Sequence, residues 1–178
     1  MVREVLKYPH PKLAQKAEPV KEITPEIVKL ADDMAVTMYE NQGIGLAANQ
    51  VGECVRLVVI DLSGPDKRED LNVLINPRIL YKEGEVESEE GCLSVRDYRS
   101  TLMRAEKVAV EALNLDGELK RYDADGLFAI CLQHEIDHLE GTLFIDHLSR
   151  LKRSLYDKRV KKWDKRKETK ETKEANAS

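Results

Sequence analysis

The segment His134-Glu135-Ile136-Asp137-His138 constrains this chain more than any other part of its sequence. Residues four apart lie on one face of a helix, so both imidazoles could reach a single metal ion. Glu135 would stand beside that ion, close enough to exchange a proton with a bound water. The pattern predicts a metal-binding helix that supports hydrolysis. The alternative is an ordinary helix that happens to carry two histidines.

The residues before the motif continue its helical spacing. Leu127, Ile130 and Cys131 stand at i, i+3 and i+4, and the two histidines follow at i+7 and i+11. Both imidazoles therefore extend an apolar stripe, and we expect these two ligands to face the interior. An ordinary core helix would show the same stripe, so the spacing alone does not separate the two interpretations.

A catalytic site of this type usually has three protein ligands and one open position for water. The metzincin protease pattern would place its third histidine at position 144, which is Phe144 in this chain. His147 lies beyond the predicted end of the helix and is a weaker candidate. A gluzincin-type protease would use a downstream glutamate, but after Gly141 glutamates occur only in a highly charged tail. We therefore expect the third ligand to come from upstream.

Cys92, in Glu90-Gly91-Cys92-Leu93-Ser94, is the best upstream candidate for the third ligand. A thiolate binds soft and borderline cations strongly, and the preceding glycine permits tight backbone geometry beside a metal. An isolated cysteine is more often a buried structural residue. The incomplete two-histidine site favours the metal-binding interpretation here.

A run of small residues, Gly43-Ile44-Gly45-Leu46-Ala47-Ala48-Asn49-Gln50, forms a third unusual segment. It superficially resembles a nucleotide-binding loop, but Ala48 stands where the third glycine of that fingerprint would be. We interpret the segment as backbone packed close to a narrow substrate cleft, with Gln50 donating a hydrogen bond there. A tight helix-to-strand connection is the alternative.

Together the three segments resemble the three motifs of the peptide deformylase family, in the order that the family has them. The resemblance extends from the N-terminus to about Leu151. It implies hydrolysis of the formyl group from the N-terminal formylmethionine of newly made bacterial or organellar peptides, with release of formate. One departure is that many members have proline after the serine-hydrophobic pair, whereas Arg96-Asp97-Tyr98 follows here. This departure affects the expected cleft rim and not the metal chemistry.

The resemblance also implies a role for each motif residue. The expected metal ligands are Cys92, His134 and His138. Glu135 resembles the general base and acid, and Gln50 with the backbone N–H of Leu93 resembles the pair of oxyanion donors. The residues expected to line the peptide cleft and the methionine pocket are Ile44, Gly45, Glu90, Arg99, Leu127, Ile130 and Cys131.

The mechanism expected from these residues starts with a metal that lowers the pKa of its bound water, whose proton Glu135 accepts. The metal-bound hydroxide attacks the formyl carbon while the metal, Leu93 and Gln50 stabilise the growing negative charge. Glu135 then returns the proton to the leaving amine. The resemblance implies one divalent ion, with Fe²⁺ physiological in many bacteria and Zn²⁺, Ni²⁺ or Co²⁺ able to replace it.

Charge is distributed unevenly along the chain. Positions 150–178 hold 12 Lys/Arg and 5 Asp/Glu, a net of +7, which leaves −11 on residues 1–149 of a chain whose total is −4. We predict a catalytic domain over 1–149, a basic helix over 150–167 and a disordered charged tail over 168–178. The basic segment could contact ribosomal RNA or protein, or it could be a solvated helix.

The remaining composition suits a cytoplasmic bacterial enzyme. No run approaches a membrane span, the first residues do not form a signal peptide, and nothing points to DNA. Three widely spaced cysteines disfavour a disulfide framework. Two other classes stay open: a zinc endoprotease, and a catalytically silent, metal-stabilised module that binds ribosomes. The intact Glu135 and Gln50 argue against the silent module.

The predicted fold class is α+β, with mainly antiparallel sheets packed around a central metal-binding helix and a further helix at the C-terminus. Thr24 and Pro25 predict a helix start. Positions 55–62 read as a buried strand, and 72–80 as another in which Pro77 predicts an edge or a bulge. Asp116-Gly117 predicts a hairpin turn.

Overall fold

Two antiparallel sheets form the framework of this protein. In the computed structural model, which describes residues 1–177, five strands follow one another across the larger sheet. In spatial order they are β1 (Gly45–Ala47), β2 (Leu57–Ile60), β3 (Asn72–Glu83), β6 (Lys107–Leu113) and β7 (Leu119–Asp125). The smaller sheet is a single hairpin of β4 (Val86–Cys92) and β5 (Val95–Arg104). The predicted α+β class is confirmed.

Within residues 1–177, four α-helices accompany the sheets. They are α1 (Pro25–Glu40), α2 (Gly64–Lys67), α3 (Gly126–Leu139) and α4 (Arg150–Asn176). Three short 3₁₀ turns cover Pro11–Ala14, Ala48–Val51 and Phe144–His147. The start of α1 is as predicted, because the Thr24 side chain accepts a hydrogen bond from the Ile27 N–H at 3.4 Å and Pro25 opens the helix.

Strand β2 lies between two helices, which explains its unbroken apolar sequence. Leu57 and Val59 belong to the core cluster that contains Met34 and Met38 of α1. Val58 and Ile60, on the opposite face, belong to the cluster that contains residues of α3. All four β2 side chains are buried, so this strand fixes the position of the helix that carries the histidine motif.

Two local predictions about strands are also confirmed. The pairing of β3 with β6 shifts register between Ile75 and Arg78, so Pro77 stands at a bulge. There Asn76, at φ 52°, exchanges two side-chain hydrogen bonds with the backbone of Val20. Gly117, at φ 77°, lies in the turn between β6 and β7.

The described chain divides into two compact units, Met1–Phe144 and the residues from Ile145 onward. This boundary lies five residues before the predicted boundary between positions 149 and 150. In the second unit, α4 continues to Asn176, whereas the sequence predicts disorder from 168 onward. The Thr169 and Thr172 hydroxyls each donate to the carbonyl four residues earlier, and Lys167 lies 4.0 Å from Glu171. An i,i+4 ion pair such as Lys167–Glu171 stabilises a helix. Position 178 lies outside the described residues.

No helix among residues 1–177 combines the length and apolar character that crossing a membrane would need.

Candidate metal centre

Three donor atoms from two separate elements converge in the first unit. The Sγ atom of Cys92, at the end of β4, lies 3.3 Å from Nε2 of His138, which lies 3.3 Å from Nε2 of His134. All three atoms are within 4.8 Å of one another, and the residues that the structure describes contain no other such group. Tetrahedral coordination at usual bond lengths would separate such donors by about 3.4–3.6 Å. The three residues therefore fit one divalent cation.

Cys92 and His134 shift each other's protonation. Burial raises the pKa of the Cys92 thiol, but the imidazoles of His138 and His134 outweigh burial and hold that pKa well below its usual range. Burial lowers the pKa of His134, but Cys92 and Glu90 outweigh it and raise that pKa well above its usual range. The cluster thus stabilises a thiolate, the form of cysteine that binds metals.

Phe144 occupies the position at which a metzincin would place its third histidine. Its ring stacks on the His134 ring, with the centroids 6.2 Å apart and the planes 26° from parallel. The Phe144 ring also stacks with the Tyr98 ring, and these two centroids are likewise 6.2 Å apart. Phe144 therefore packs against a donor ring instead of supplying a donor.

A buried ion-pair network supports the histidine side of the centre. Glu90 Oε1 lies 2.8 Å from Nδ1 of His134, and Arg104 donates to both oxygens of Glu90, from Nε at 2.9 Å and from Nη2 at 2.8 Å. Nη1 of the same guanidinium donates to Asp137 Oδ2 at 2.6 Å. Burial would raise the pKa of Glu90, but Arg104 and His134 outweigh it and lower that pKa to about 2.

This network adds a second role to the one expected for Glu90. The residue does line the cavity, but its carboxylate is committed to Arg104 and His134 instead of a substrate. An Nδ1–H that donates to Glu90 leaves Nε2 of His134 with its lone pair toward the donor cluster. Sequence analysis missed Arg104 and Asp137. Asp137 lies inside the histidine motif and could have been found there, whereas no local signal marks Arg104.

Glu135 lies in the cavity with its side chain almost completely buried, at 4% exposed. Its Oε2 is buried and has no hydrogen-bond partner among the residues that the structure describes. Burial raises the pKa of Glu135, and the charges of His134 and His138 offset part of that increase. This carboxylate is therefore available to exchange a proton inside the cavity.

Gly45 lets the first motif approach that carboxylate closely. A Cβ atom at this position would lie 2.5 Å from Oε1 of Glu135 and 3.0 Å from Sγ of Cys131. Any side chain would displace one of these groups, so the space beside Glu135 depends on glycine.

Gln50 and Leu93 belong to two separate loops near Cys92, the 3₁₀ turn Ala48–Val51 and the turn of the β4–β5 hairpin. The side-chain carbonyl oxygen of Gln50 accepts from the Ala47 N–H at 2.9 Å. This bond directs the NH₂ group of the same side chain toward Cys92 Sγ, 3.5 Å away. The same NH₂ donates to the Ser94 hydroxyl at 3.2 Å. Leu93 follows Cys92 directly in the turn of the β4–β5 hairpin.

The N-terminal segment connects these two loops. The Leu6 N–H donates to the backbone carbonyl of Gln50 at 2.7 Å, and the Tyr8 N–H donates to the backbone carbonyl of Ser94 at 2.8 Å. Between them, the Lys7 ammonium donates to the Leu93 carbonyl at 2.5 Å. The spacing of the two predicted oxyanion donors therefore depends on a third stretch of chain.

A cavity of about 480 Å³ opens beside the donor cluster. Every residue expected to line the cleft does so: Ile44, Gly45, Glu90, Arg99, Leu127, Ile130 and Cys131. Leu127 is 55% exposed, so this end of the apolar stripe lies at the cavity mouth. Asp97 and Tyr98, from the segment that replaces the usual proline, also line the cavity. The sequence predicted an effect of this segment on the cleft rim.

Comparisons with known proteins agree with this geometry. Residues 2–154 match the family model described as polypeptide deformylase. The peptide deformylase of Acidobacterium capsulatum is 52% identical over 162 residues, which cover 91% of this chain and 95% of that protein.

Solved structures show the same similarity. A peptide deformylase from Legionella pneumophila is 42% identical with a TM-score of 0.88, and the match covers 94% of this chain and 98% of that one. The peptide deformylase of Ehrlichia chaffeensis in complex with actinonin is 39% identical with a TM-score of 0.83, over 90% and 96% of the two chains.

Proposed function

Because this chain belongs to the peptide deformylase family, whose members remove the formyl group from nascent peptides, we propose how its own residues carry out that hydrolysis. The observation that carries the proposal is the position of Glu135 Oε2 beside the Cys92–His134–His138 cluster. This oxygen is buried and has no hydrogen-bond partner among residues 1–177. The same chain segment thus supplies two cation donors and one proton acceptor to a single cavity.

Cys92, His134 and His138 hold one divalent cation in this proposal. The thiolate and two imidazoles suit Fe²⁺ as the physiological ion, with Zn²⁺, Ni²⁺ or Co²⁺ able to replace it. When bound, such a cation supplies Lewis-acid chemistry, since it lowers the pKa of a water and polarises a carbonyl. Glu90 orients His134 toward the ion through its contact with Nδ1.

Glu135 acts as the general base and then as the general acid. Its oxygen accepts a proton from the attacking water, and the raised pKa of this buried carboxyl makes it a better base than an exposed one. After the formyl C–N bond breaks, Glu135 returns the proton to the amine of the new N-terminus. The products are formate and a peptide with a free methionine amine.

Gln50 and the Leu93 N–H stabilise the negative charge that develops on the formyl oxygen. Gln50 donates toward the Cys92 sulfur and Leu93 follows Cys92 in the chain, so both are close to the proposed metal and the reacting group. Loss of one such donor typically costs about 3 kcal/mol of barrier, or about 100-fold in rate.

The cavity wall determines which acyl group and which side chain are accepted. Leu127, Ile130 and Cys131 form the apolar part of the pocket for methionine, Ile44 lines the peptide cleft, and Arg99 contacts the peptide beyond it. The close approach of Gly45 to Glu135 keeps the space beside the carboxylate narrow, which suits a formyl group, whose carbon bears only hydrogen. An acetyl group, larger by a methyl, is excluded by size.

A formate-release assay tests this function. Protein purified without oxygen is analysed for metal and incubated with formyl-Met-Ala-Ser, and a longer unformylated peptide serves as the control. We expect formate from the first and no cleavage of the second. Cleavage of internal amide bonds would favour the zinc endoprotease, and a metal-loaded protein without turnover would favour the silent module.

We also propose that 1–149 is the catalytic domain and that α4 contacts the ribosome, in the bacterial cytoplasm where nascent peptides emerge. The cations along one face of α4 are Lys158, Lys161, Lys162, Lys165, Arg166 and Lys170. Replacing three of the lysines by glutamate should weaken ribosome binding and lower the slope of log affinity against log salt by about 2–3. Binding that is unchanged across salt would exclude this contact.

A further inference from the structure

The donors of the metal centre reach it from two elements that do not share a sheet. Cys92 stands at the end of β4, which pairs only with β5 among the described strands. The two histidines stand on α3, which packs against the larger sheet. A metal site needs its ligands within a few tenths of an ångström of the required positions, so the hairpin must be fixed to the helix.

Arg104 makes a connection of this kind. It is the last residue of β5, and its side chain is only 5% exposed. Two of its nitrogens donate to Glu90 on the neighbouring strand β4, and the third donates to Asp137 on α3. One buried guanidinium therefore bridges the cysteine-bearing hairpin and the histidine-bearing helix.

The contact with Glu90 leads directly to a donor. Glu90 Oε1 receives Nη2 of Arg104 at 2.8 Å and lies 2.8 Å from Nδ1 of His134. The guanidinium is planar and binds both carboxylate oxygens, so it sets the rotation of the carboxylate and hence the direction in which Oε1 faces His134. Asp137, on the other branch, immediately precedes His138.

We propose that Arg104 is a positioning residue for the metal centre, acting through the fixed geometry of its guanidinium on Glu90 and Asp137. The side chain holds the Cys92 strand and the His134–His138 helix in the register that metal binding requires. This inference rests on the proposed metal site, but it concerns metal affinity and not the chemical step.

Arg104→Lys separates geometry from charge. Lysine keeps the positive charge but cannot bind a carboxylate with two parallel hydrogen bonds. We expect about 10- to 100-fold weaker Co²⁺ binding, measured by competition with a chelator and by the thiolate-to-cobalt absorption band. Thermal unfolding of the chelator-treated protein shows whether the variant is folded.

Arg56→Lys is the matched control. Arg56 is also mostly buried, at 15% exposed, and donates to Glu140 just after α3 and to the Pro77 carbonyl at 2.8 Å. It therefore links the same helix to the larger sheet without contacting a donor. We expect its Co²⁺ affinity to stay within about threefold of the unsubstituted protein.

Two results would overturn the proposal: unchanged affinity in Arg104→Lys, or an equal loss in Arg56→Lys. If Arg104→Lys does not fold, Glu90→Gln tests the same connection from its other side, with an expected loss of about 10- to 100-fold. Normal Co²⁺ affinity in folded Glu90→Gln would overturn it as well. Formate release is not the readout, so failure of the deformylase assignment would leave these affinities interpretable.

Discussion

The chemistry of Glu135 can be tested by a change of one atom. Glu135→Gln preserves the size of the side chain but removes the proton acceptor, so we expect turnover to fall by about 10²–10⁴-fold with metal content unchanged. Formate release and metal analysis on the same sample check this. A glutamine variant with full metal and near-normal turnover would refute the role of Glu135.

Gly45 is a second residue whose contribution can be isolated. In Gly45→Ala the new methyl would meet Glu135 Oε1 at 2.5 Å, so the carboxylate has to move. We expect kcat to fall by at least about tenfold, because small misplacements of a catalytic group are costly, while bound metal is retained. The measurement is kcat with metal content, and an unchanged kcat would show that the carboxylate relaxes freely.

Individual functional residues can be predicted from the sequence when their neighbours in the chain take part in the same site. The histidines and Glu135 stand in one helical turn, and Gly45 is visible as a glycine in a run of small residues. Arg104 is different because its role exists only once a hairpin and a helix are docked. The Tyr98–Phe144 stack has the same origin, since the two rings are far apart in the chain.

Between elements, the β4–α3 connection predicts an acid-sensitive contribution to stability. The pKa of Glu90 is about 2 in the folded protein and 4.5 in an unfolded reference, so unfolded chains bind more protons between these values. The lowered pKa of Glu90 therefore adds up to about 3 kcal/mol to the free energy of unfolding. This stabilisation is fully present above about pH 4.5 and is lost as the pH falls toward 2.

Glu90→Gln isolates that contribution. We expect the variant to be less stable than the unsubstituted protein at pH 6 and the difference to narrow by about 2–3 kcal/mol by pH 2. Urea unfolding of chelator-treated protein at several pH values measures it. A difference that does not depend on pH would mean that the carboxylate gains nothing from its charged partners.

Elements with an apolar pattern were predictable, and β4 was not. Strand β2 is apolar on both faces because α1 and α3 cover it. In β4, Ser88 and Glu90 are the buried positions and Glu87 and Glu89 the exposed ones, so the strand is polar on both faces. Its buried face serves an ion-pair network, and hydrophobic periodicity cannot reveal such a strand.

For the whole molecule, the metal should stabilise the fold. At a free ion concentration about 1,000 times the Kd, binding adds about 4 kcal/mol, which corresponds to a Tm increase of about 10 °C for a chain of this size. Calorimetry with Zn²⁺ and with chelator measures the difference. Cys92→Ala should lose both the bound metal and the Tm increase, and undiminished metal content would remove Cys92 from the centre.

The order of synthesis gives this architecture a consequence in time. Cys92 leaves the ribosome before His134 and His138, so its sulfur has no imidazole neighbours until α3 is made and docked. During that interval the thiol is unprotected by coordination and open to oxidation. In the proposed site the ion can be held by all three donors only after α3 has docked, so a shortage of metal would lengthen the period in which the cysteine is vulnerable.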